Sequence, residues 1–257
     1  MDTSLIFISI YLLISLILFQ LAFNRKISKQ FLRKSVDLQL ADWSFFKVDQ
    51  AWLLSQNPQI LEIKVKGSKR SAYFLDMYGK EAETVIIIHG YTSSAINMSL
   101  FAKLYAENFK MNALLIDLSA HGLSEGDLIR FGLGDYKDVN LWINKLNDLG
   151  YTKAKLIHGI SMGGATALFA LVFRLHKEVK AIITDSAYMN LDPILKRQAM
   201  LIYKGPSLLF MLGISIWMKL LLGYTTSQVN VYNYLKKIDR KILLIHGTAD
   251  NFVPFRQ

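Results

Sequence analysis

The sequence has no cysteine. That absence removes disulfides, a thiolate nucleophile and any cysteine metal site, whichever compartment holds the protein. Charge is also scarce: Asp, Glu, Lys and Arg make up 19% of the 257 residues, against 52% hydrophobic. Soluble domains carry more charge than this, so the composition first asks for a membrane segment. Between Thr3 and Asn24 there is no charge at all. At ~1.5 Å rise per residue that stretch reaches ~33 Å, enough to cross a bilayer core. The marks of a cleaved leader are missing too. Only Asp2 precedes the run, the run is longer than a typical leader core, and Ala22 lies in Leu-Ala-Phe-Asn rather than in an A-x-A site. An uncleaved anchor over residues 1–24 is therefore expected.

The net charge is +10, but Lys and Arg are spread along the chain. The one local excess is Arg25, Lys26, Lys29, Arg33 and Lys34, directly after the apolar run. A basic segment beside anionic lipid accounts for it, so membrane lipid is an expected partner and nucleic acid is not. By the positive-inside rule the bulk of the chain then faces the cytoplasm.

Beyond the anchor there is no internal repeat and no low-complexity stretch. Residues 25–58 read as a helical lead-in ending at Asn57-Pro58. Gln59–Lys66 and Ser71–Tyr78 read as antiparallel strands. Then come uniformly apolar runs at Thr84–Ile88, Ala113–Ile116, Lys155–Ile157, Ala181–Thr184 and Ile242–Ile245. Such runs suit strands buried on both faces of a parallel sheet. Helical stretches near 95–108, 135–149 and 162–176 separate most of them, which predicts a doubly wound α/β domain over 59–257. In such sheets chemistry gathers at the C-terminal ends of the strands.

After Lys155–Ile157 comes His158-Gly159-Ile160-Ser161-Met162-Gly163-Gly164. A G-x-S-x-G core on a strand-to-helix turn lifts a serine hydroxyl above the sheet edge. Gly159 and Gly163 let strand and helix approach, and the Met162 amide is left free for an oxyanion at a helix N-terminus. Ser161 is thus the candidate nucleophile. After Val85–Ile88 comes His89-Gly90-Tyr91, a loop expected to supply the second oxyanion amide from Tyr91, with His89 bracing the loop. Asp117 to Gly126 and His246 to Pro254 follow the strands at 113–116 and 242–245.

Four motifs stand in one order: HGY at 89–91, D-x-x-x-H-G-x-S-x-G at 117–126, GISMGG at 159–164 and HGTAD-x-x-VP at 246–254. On these the chain, from about residue 59 to 257, resembles the α/β-hydrolase superfamily, and within it the serine aminopeptidase S33 and monoacylglycerol-lipase-like esterases. The resemblance implies Ser161 as nucleophile, Asp250 as the triad acid and Tyr91 with Met162 as the oxyanion hole. Asp185 is the alternative acid, and Asp117 and His121 match a loop that is structural in the family. No cofactor and no metal are implied.

The base position is the departure. In this fold the order is Ser, Asp, His, yet no histidine follows Asp250. His89, His121, His158, His176 and His246 belong to other motifs or to a helix. The family pattern asks for a further helix, strand, histidine loop and closing helix, so the chain is expected to be a fragment of an active hydrolase. A pseudo-enzyme that binds without turnover is the alternative.

The stretch between Asp185 and Ile242 is too long for a crossover and predicts an inserted cap at about 187–238. The apolar segment from Pro206 to Gly223, interrupted by Lys219, is expected as a buried or membrane-touching cap helix rather than a second span. An apolar cap suggests a small-molecule or lipid acyl ester as substrate. Peptidase or acyltransferase chemistry on the same site is the other possibility.

Overall fold

The computed structural model describes residues 2–27, 44–200, 207–234, 240–250 and 252–255. Helix α1 (Thr3–Phe23) is followed by α2 (Ser44–Ser55) and by strands β1 (Gln59–Val65) and β2 (Ser68–Leu75). The alternation then runs β3 (Thr84–Ile88), α3 (Ser99–Phe109), β4 (Asn112–Ile116), α4 (Tyr136–Asp148), β5 (Lys155–Ile160), α5 (Met162–Val172) and β6 (Val179–Asp185). Helices α6 (Leu191–Gln198) and α7 (Ser207–Leu222) precede β7 (Lys241–Ile245). Of the predicted lead-in, residues 28–43 lie outside the described residues, as do 201–206 and 235–239 of the predicted cap.

Seven strands form one sheet in the order β1-β2-β4-β3-β5-β6-β7. β1 with β2 and β2 with β4 are antiparallel, and every later pairing is parallel. β3 and β4 are buried along their whole length, as their unbroken Val/Ile/Leu runs require between two helix layers. Each fully buried residue of this kind stabilises the fold by ~1.5–3 kcal/mol.

Three expectations are corrected. β2 starts at Ser68, not Ser71, because Lys66 and Gly67 both take positive φ (49° and 83°) and close a two-residue hairpin that pairs Val65 with Ser68. Downstream, Gly79 N–H donates to Asp76 Oδ1, turning the chain where a longer strand was expected. The helix expected to reach residue 176 stops at Val172, and Arg174 turns the chain at φ 81°. β7 is not buried on both faces. It has β6 as its one neighbour at the sheet edge, and Leu243, Leu244 and Ile245 are exposed.

The C-terminal half of the N-terminal helix packs against the domain. Tyr11, Ser15, Phe19 and Phe23 recur every four residues and so share one face. Phe19 and Phe23 are fully buried, and Phe23 meets the Phe131 ring at 4.8 Å. The chain then bridges Asn24 to Leu128, and the Arg25 guanidinium donates to the carbonyls of Ser124 and Gly122. Arg25, read from sequence as a lipid-facing charge, is thus spent on backbone acceptors, while Lys26 is an exposed partner of Asp127. Lys29, Arg33 and Lys34 lie outside the described residues.

Candidate active site

Ser161 stands between β5 and α5 with φ 51° and ψ −113°. A non-glycine residue there costs on the order of 1–3 kcal/mol and persists only when its surroundings enforce it. They do. Ser161 N–H donates to the Asp185 carbonyl at 2.7 Å, and the Ser161 carbonyl accepts from Ala165. A Cβ on Gly159 would stand 2.4 Å from the Gly163 carbonyl oxygen, and one on Gly163 would stand 2.1 Å from that of Ile88. The two glycines are therefore steric requirements of the turn. Met162 is fully buried and opens α5, where first-turn amides have no acceptor within the helix.

The 89–91 loop sits against this turn. A Cβ placed on Gly90 would lie 3.4 Å from Ser161 Cβ. The Tyr91 hydroxyl donates to the Ala22 carbonyl at 2.5 Å, and its ring stacks on Phe131 at 5.3 Å. His89 is fully buried. Its Nδ1–H donates to the Gly90 carbonyl, and its Nε2 accepts the Leu118 amide at 3.1 Å. Both ring nitrogens are committed to joining two strand-end loops. Burial pushes its pKa down to about 4, so the ring stays neutral in this role.

The 117–126 loop is a second brace. Asp117 accepts the amides of Ala95 and Leu123, one on each carboxylate oxygen. Gly122 (φ 48°) leaves room for that carboxylate: a Cβ there would lie 2.1 Å from Oδ1. The His121 ring packs 4.7 Å from that of His89, and burial, then the neighbouring His89, push its pKa down to about 3.

Asp250 lies beyond the end of β7, two strands along the sheet from Ser161. Its Oδ1 accepts the amides of Phe252 and Val253, and its Oδ2 is 3.5 Å from His246 Nε2, which also bonds the Val253 carbonyl. Asp185 is nearer the serine along the chain path, and its side chain accepts from the Ser186 hydroxyl. At the ends of β6 and β7 lies a cavity of about 280 Å³ bounded by Thr184, Ala187, Met189, Tyr232 and His246. Among the described residues no histidine bonds the Ser161 hydroxyl. His158 pairs with Tyr105, and His176 accepts the Glu178 amide. The structure thus brings Ser161, Met162, Gly159, Gly163, Gly90 and Tyr91 together and places Asp250 with His246.

A family described as alpha/beta hydrolase fold matches residues 83–207, the span from β3 through the elbow to the start of α7. The chain has the α/β-hydrolase fold. It is 28% identical to the esterase Pf2001 of Pyrococcus furiosus, with a TM-score of 0.60 over 79% of this chain and 74% of that one. A bacterial membrane phospholipase A superposes with a TM-score of 0.53 at 17% identity, over 82% and 79% of the two chains, a likeness of fold alone. The uncharacterized protein YqkD of Bacillus subtilis is 29% identical over 194 residues, which are 72% of this chain. The chain spans 62% of the length of that curated relative.

One buried acid escaped the sequence. Asp135 is fully buried ahead of α4, and neither carboxylate oxygen has a partner among the described residues. Burial first, and then the neighbouring Asp138, raise its pKa to about 7. Asp138 itself is held by Arg70 at 3.0 Å. Within Gly132-Leu-Gly-Asp-Tyr an aspartate reads as a turn residue. The one available signal is its place directly before the amphipathic run from Tyr136.

Proposed function

We propose that the protein is a membrane-anchored serine hydrolase that cleaves carboxylic esters through an acyl-enzyme on Ser161, within the S33 and monoacylglycerol-lipase-like group its motifs resemble. The observation that carries this is the strained Ser161 (φ 51°), enforced by two obligatory glycines and flanked by Gly90. That geometry exposes an oxygen nucleophile at a helix N-terminus and holds no other evident purpose.

In an intact hydrolase of the kind the motifs resemble, Ser161 Oγ attacks the ester carbonyl carbon and its proton passes to a histidine base, a role that none of His89, His121, His158, His176 and His246 is placed to fill. The carbonyl electron pair moves onto oxygen, where the amides of Met162 and Tyr91 stabilise the charge. Collapse expels the alcohol, which takes the proton back, and water repeats the sequence on the acyl-enzyme. Asp250 orients the base. The apolar helix α7 supports an acyl chain as the apolar part of the substrate. Helix α1 supports the anchor: its outward residues Leu5, Phe7, Leu13 and Ile17 are all more than half exposed. Lys26 at its C-terminal end favours a cytoplasmic catalytic domain.

The test is covalent labelling with a fluorophosphonate probe, read by mass spectrometry, beside hydrolysis of p-nitrophenyl esters of rising chain length. Modification of the Ser161 peptide with ester turnover, both abolished by Ser161→Ala, is the expected result. Labelling without turnover favours the second reading, a binding protein, which the lack of a histidine bonded to the Ser161 hydroxyl among the described residues supports. Acyl transfer to added alcohols or amines, or peptide cleavage, redirects the reading to an acyltransferase or peptidase. No labelling at all overturns it.

A further inference from the structure

Helices α1 and α7 are joined by a seam of polar and small residues. The Tyr11 hydroxyl donates to the Leu209 carbonyl, and Trp217 Nε1–H donates to Ser15 Oγ, both at 2.9 Å. Gly213 is seated so tightly that a Cβ would lie 2.4 Å from Ser15 Cβ. Contacts climb together along both helices, from 11 with 209 to 15 with 213 and 217, so the two run in the same direction. Small residues at a close crossing, with side-chain polar groups turned toward the partner helix, are how helices associate in hydrocarbon.

The outer faces complete the pattern. On α7, Leu208, Leu209 and Leu212 are 78%, 51% and 53% exposed. They lie beside the middle of α1, in its uncharged stretch. The one charge within α7, Lys219, lies toward the end where Arg25 and Lys26 follow α1, while Lys204 precedes α7 in the sequence. We propose that α1 and α7 enter the membrane together, as one two-helix unit. The leucines of α7 then sit in the hydrocarbon of a phospholipid bilayer, and Lys219 and Lys26 sit at its headgroups. If Tyr11 lies in hydrocarbon, Leu209 bonded to it cannot stay in water unless the seam opens. The active-site domain is then held against the membrane surface by two helices rather than swinging from one. This rests on the α1 anchor of the reading above and not on the ester chemistry.

The chain lacks cysteine, so single nitroxide labels are clean. The full chain, labelled at Ile10→Cys, Leu208→Cys, Leu212→Cys or Ser227→Cys, is reconstituted in vesicles of phosphatidylcholine and phosphatidylglycerol. Collision with oxygen is compared with collision with a water-soluble nickel chelate. The expected result is oxygen-dominated relaxation at Leu208 and Leu212, matching Ile10, and nickel-dominated relaxation at the exposed Ser227. Leu208 and Leu212 in water with Ile10 in lipid overturns the two-helix unit and leaves the anchor standing. All of them in water overturns both. Spin–spin broadening at Leu212 that disappears on mixing with unlabelled chain shows that a second copy covers the face, and also overturns it. None of these readouts needs turnover, so a failed ester assay leaves them unaffected.

Discussion

The hydroxyl of Tyr91 donates to the carbonyl oxygen of Ala22 at 2.5 Å. One residue thereby belongs to two parts of the molecule. Its backbone follows Gly90, which abuts Ser161, and its side chain holds the last turn of α1, whose carbonyls lack N–H donors within the helix. Phe131 doubles the link, stacking on Tyr91 and touching Phe23. The N-terminal helix and the 89–91 loop are therefore positioned together.

Tyr91→Phe keeps the ring stack and removes this hydrogen bond. A loss of about 1 kcal/mol is expected, or ~2–4 °C in melting temperature for a chain of this size. Thermal unfolding followed by circular dichroism in detergent checks it. An unchanged midpoint would show that the hydroxyl does not hold α1 to the loop.

The α1–α7 seam makes a second prediction through Gly213. Gly213→Ala drives a methyl group into Ser15 Cβ, and overpacking of this kind costs ~1–3 kcal/mol. Ser15→Gly removes the atom that is struck. It also deletes the acceptor of Trp217 Nε1–H, so the double variant is expected to lose less stability than the sum of the two single losses. Additive losses in that double-mutant cycle would mean the two residues do not meet.

These two contacts mark the limit of what could be read in the residues. The sheet was legible because β3 and β4 must be apolar throughout to lie between helix layers, and the elbow because only small residues fit at 159 and 163. The 28% identity to an esterase of the same fold agrees with that reading. The docking of α1 was not legible. Thr3–Phe23 is apolar all round, so no periodicity marks the Tyr11, Ser15, Phe19, Phe23 stripe, and a uniformly apolar helix looks the same free in lipid or half-packed on protein. β7, Lys-Ile-Leu-Leu-Ile, carries the composition of a buried strand, while among the described residues no strand pairs with its outer edge. Asp135 was hidden because burial of a turn aspartate depends on neighbours remote in sequence, such as Tyr224, whose hydroxyl stands beside Gly134.

Asp135 sets one limb of the pH dependence. Its pKa is about 7 when folded, against an ordinary 3.8 when unfolded. Between those values the folded state holds a proton that the unfolded state has released, so stability falls as pH rises from about 4 to 7. Asp135→Asn imitates the protonated form and removes that slope. Relative to the parent, the variant is expected to gain on the order of 1–3 kcal/mol at pH 8 and nothing at pH 4. Urea unfolding at both values measures it, and equal effects at the two would disprove the assignment.

The opposite limb belongs to His89 and His121, held at about 4 and about 3 by burial. Unfolded, each takes up a proton near 6.5, so their contribution is lost as pH falls from about 6.5 toward 4. The His121 Nδ1–H donates to the Ser119 carbonyl, and its Nε2 is buried without a partner among the described residues. His121→Asn retains a donor for Ser119 and cannot charge. Its acid-side loss of stability should therefore be shallower than the parent's, read from melting temperatures between pH 4 and 7.

Lys155 gives the largest expected loss. It starts β5, the strand that ends at Ser161, and its ammonium group is fully buried. Four acceptors surround it: Asn147 Oδ1 and the Tyr151 carbonyl at 2.9 Å, the Lys153 carbonyl at 3.1 Å and Glu178 Oε2 at 2.7 Å. The cation thus ties the end of α4, the loop into β5 and the residue before β6. Lys155→Met keeps the length of the side chain but strands a carboxylate and two carbonyls, so a loss of ~3–5 kcal/mol is expected. Replacing Glu178 by Gln as well relieves the stranded charge, so the double variant should recover part of the loss. Urea midpoints of the parent, the single variants and the double variant decide the point. If Lys155→Met costs no more than Glu178→Gln, the ammonium is a spectator and packing of the aliphatic stem carries the site.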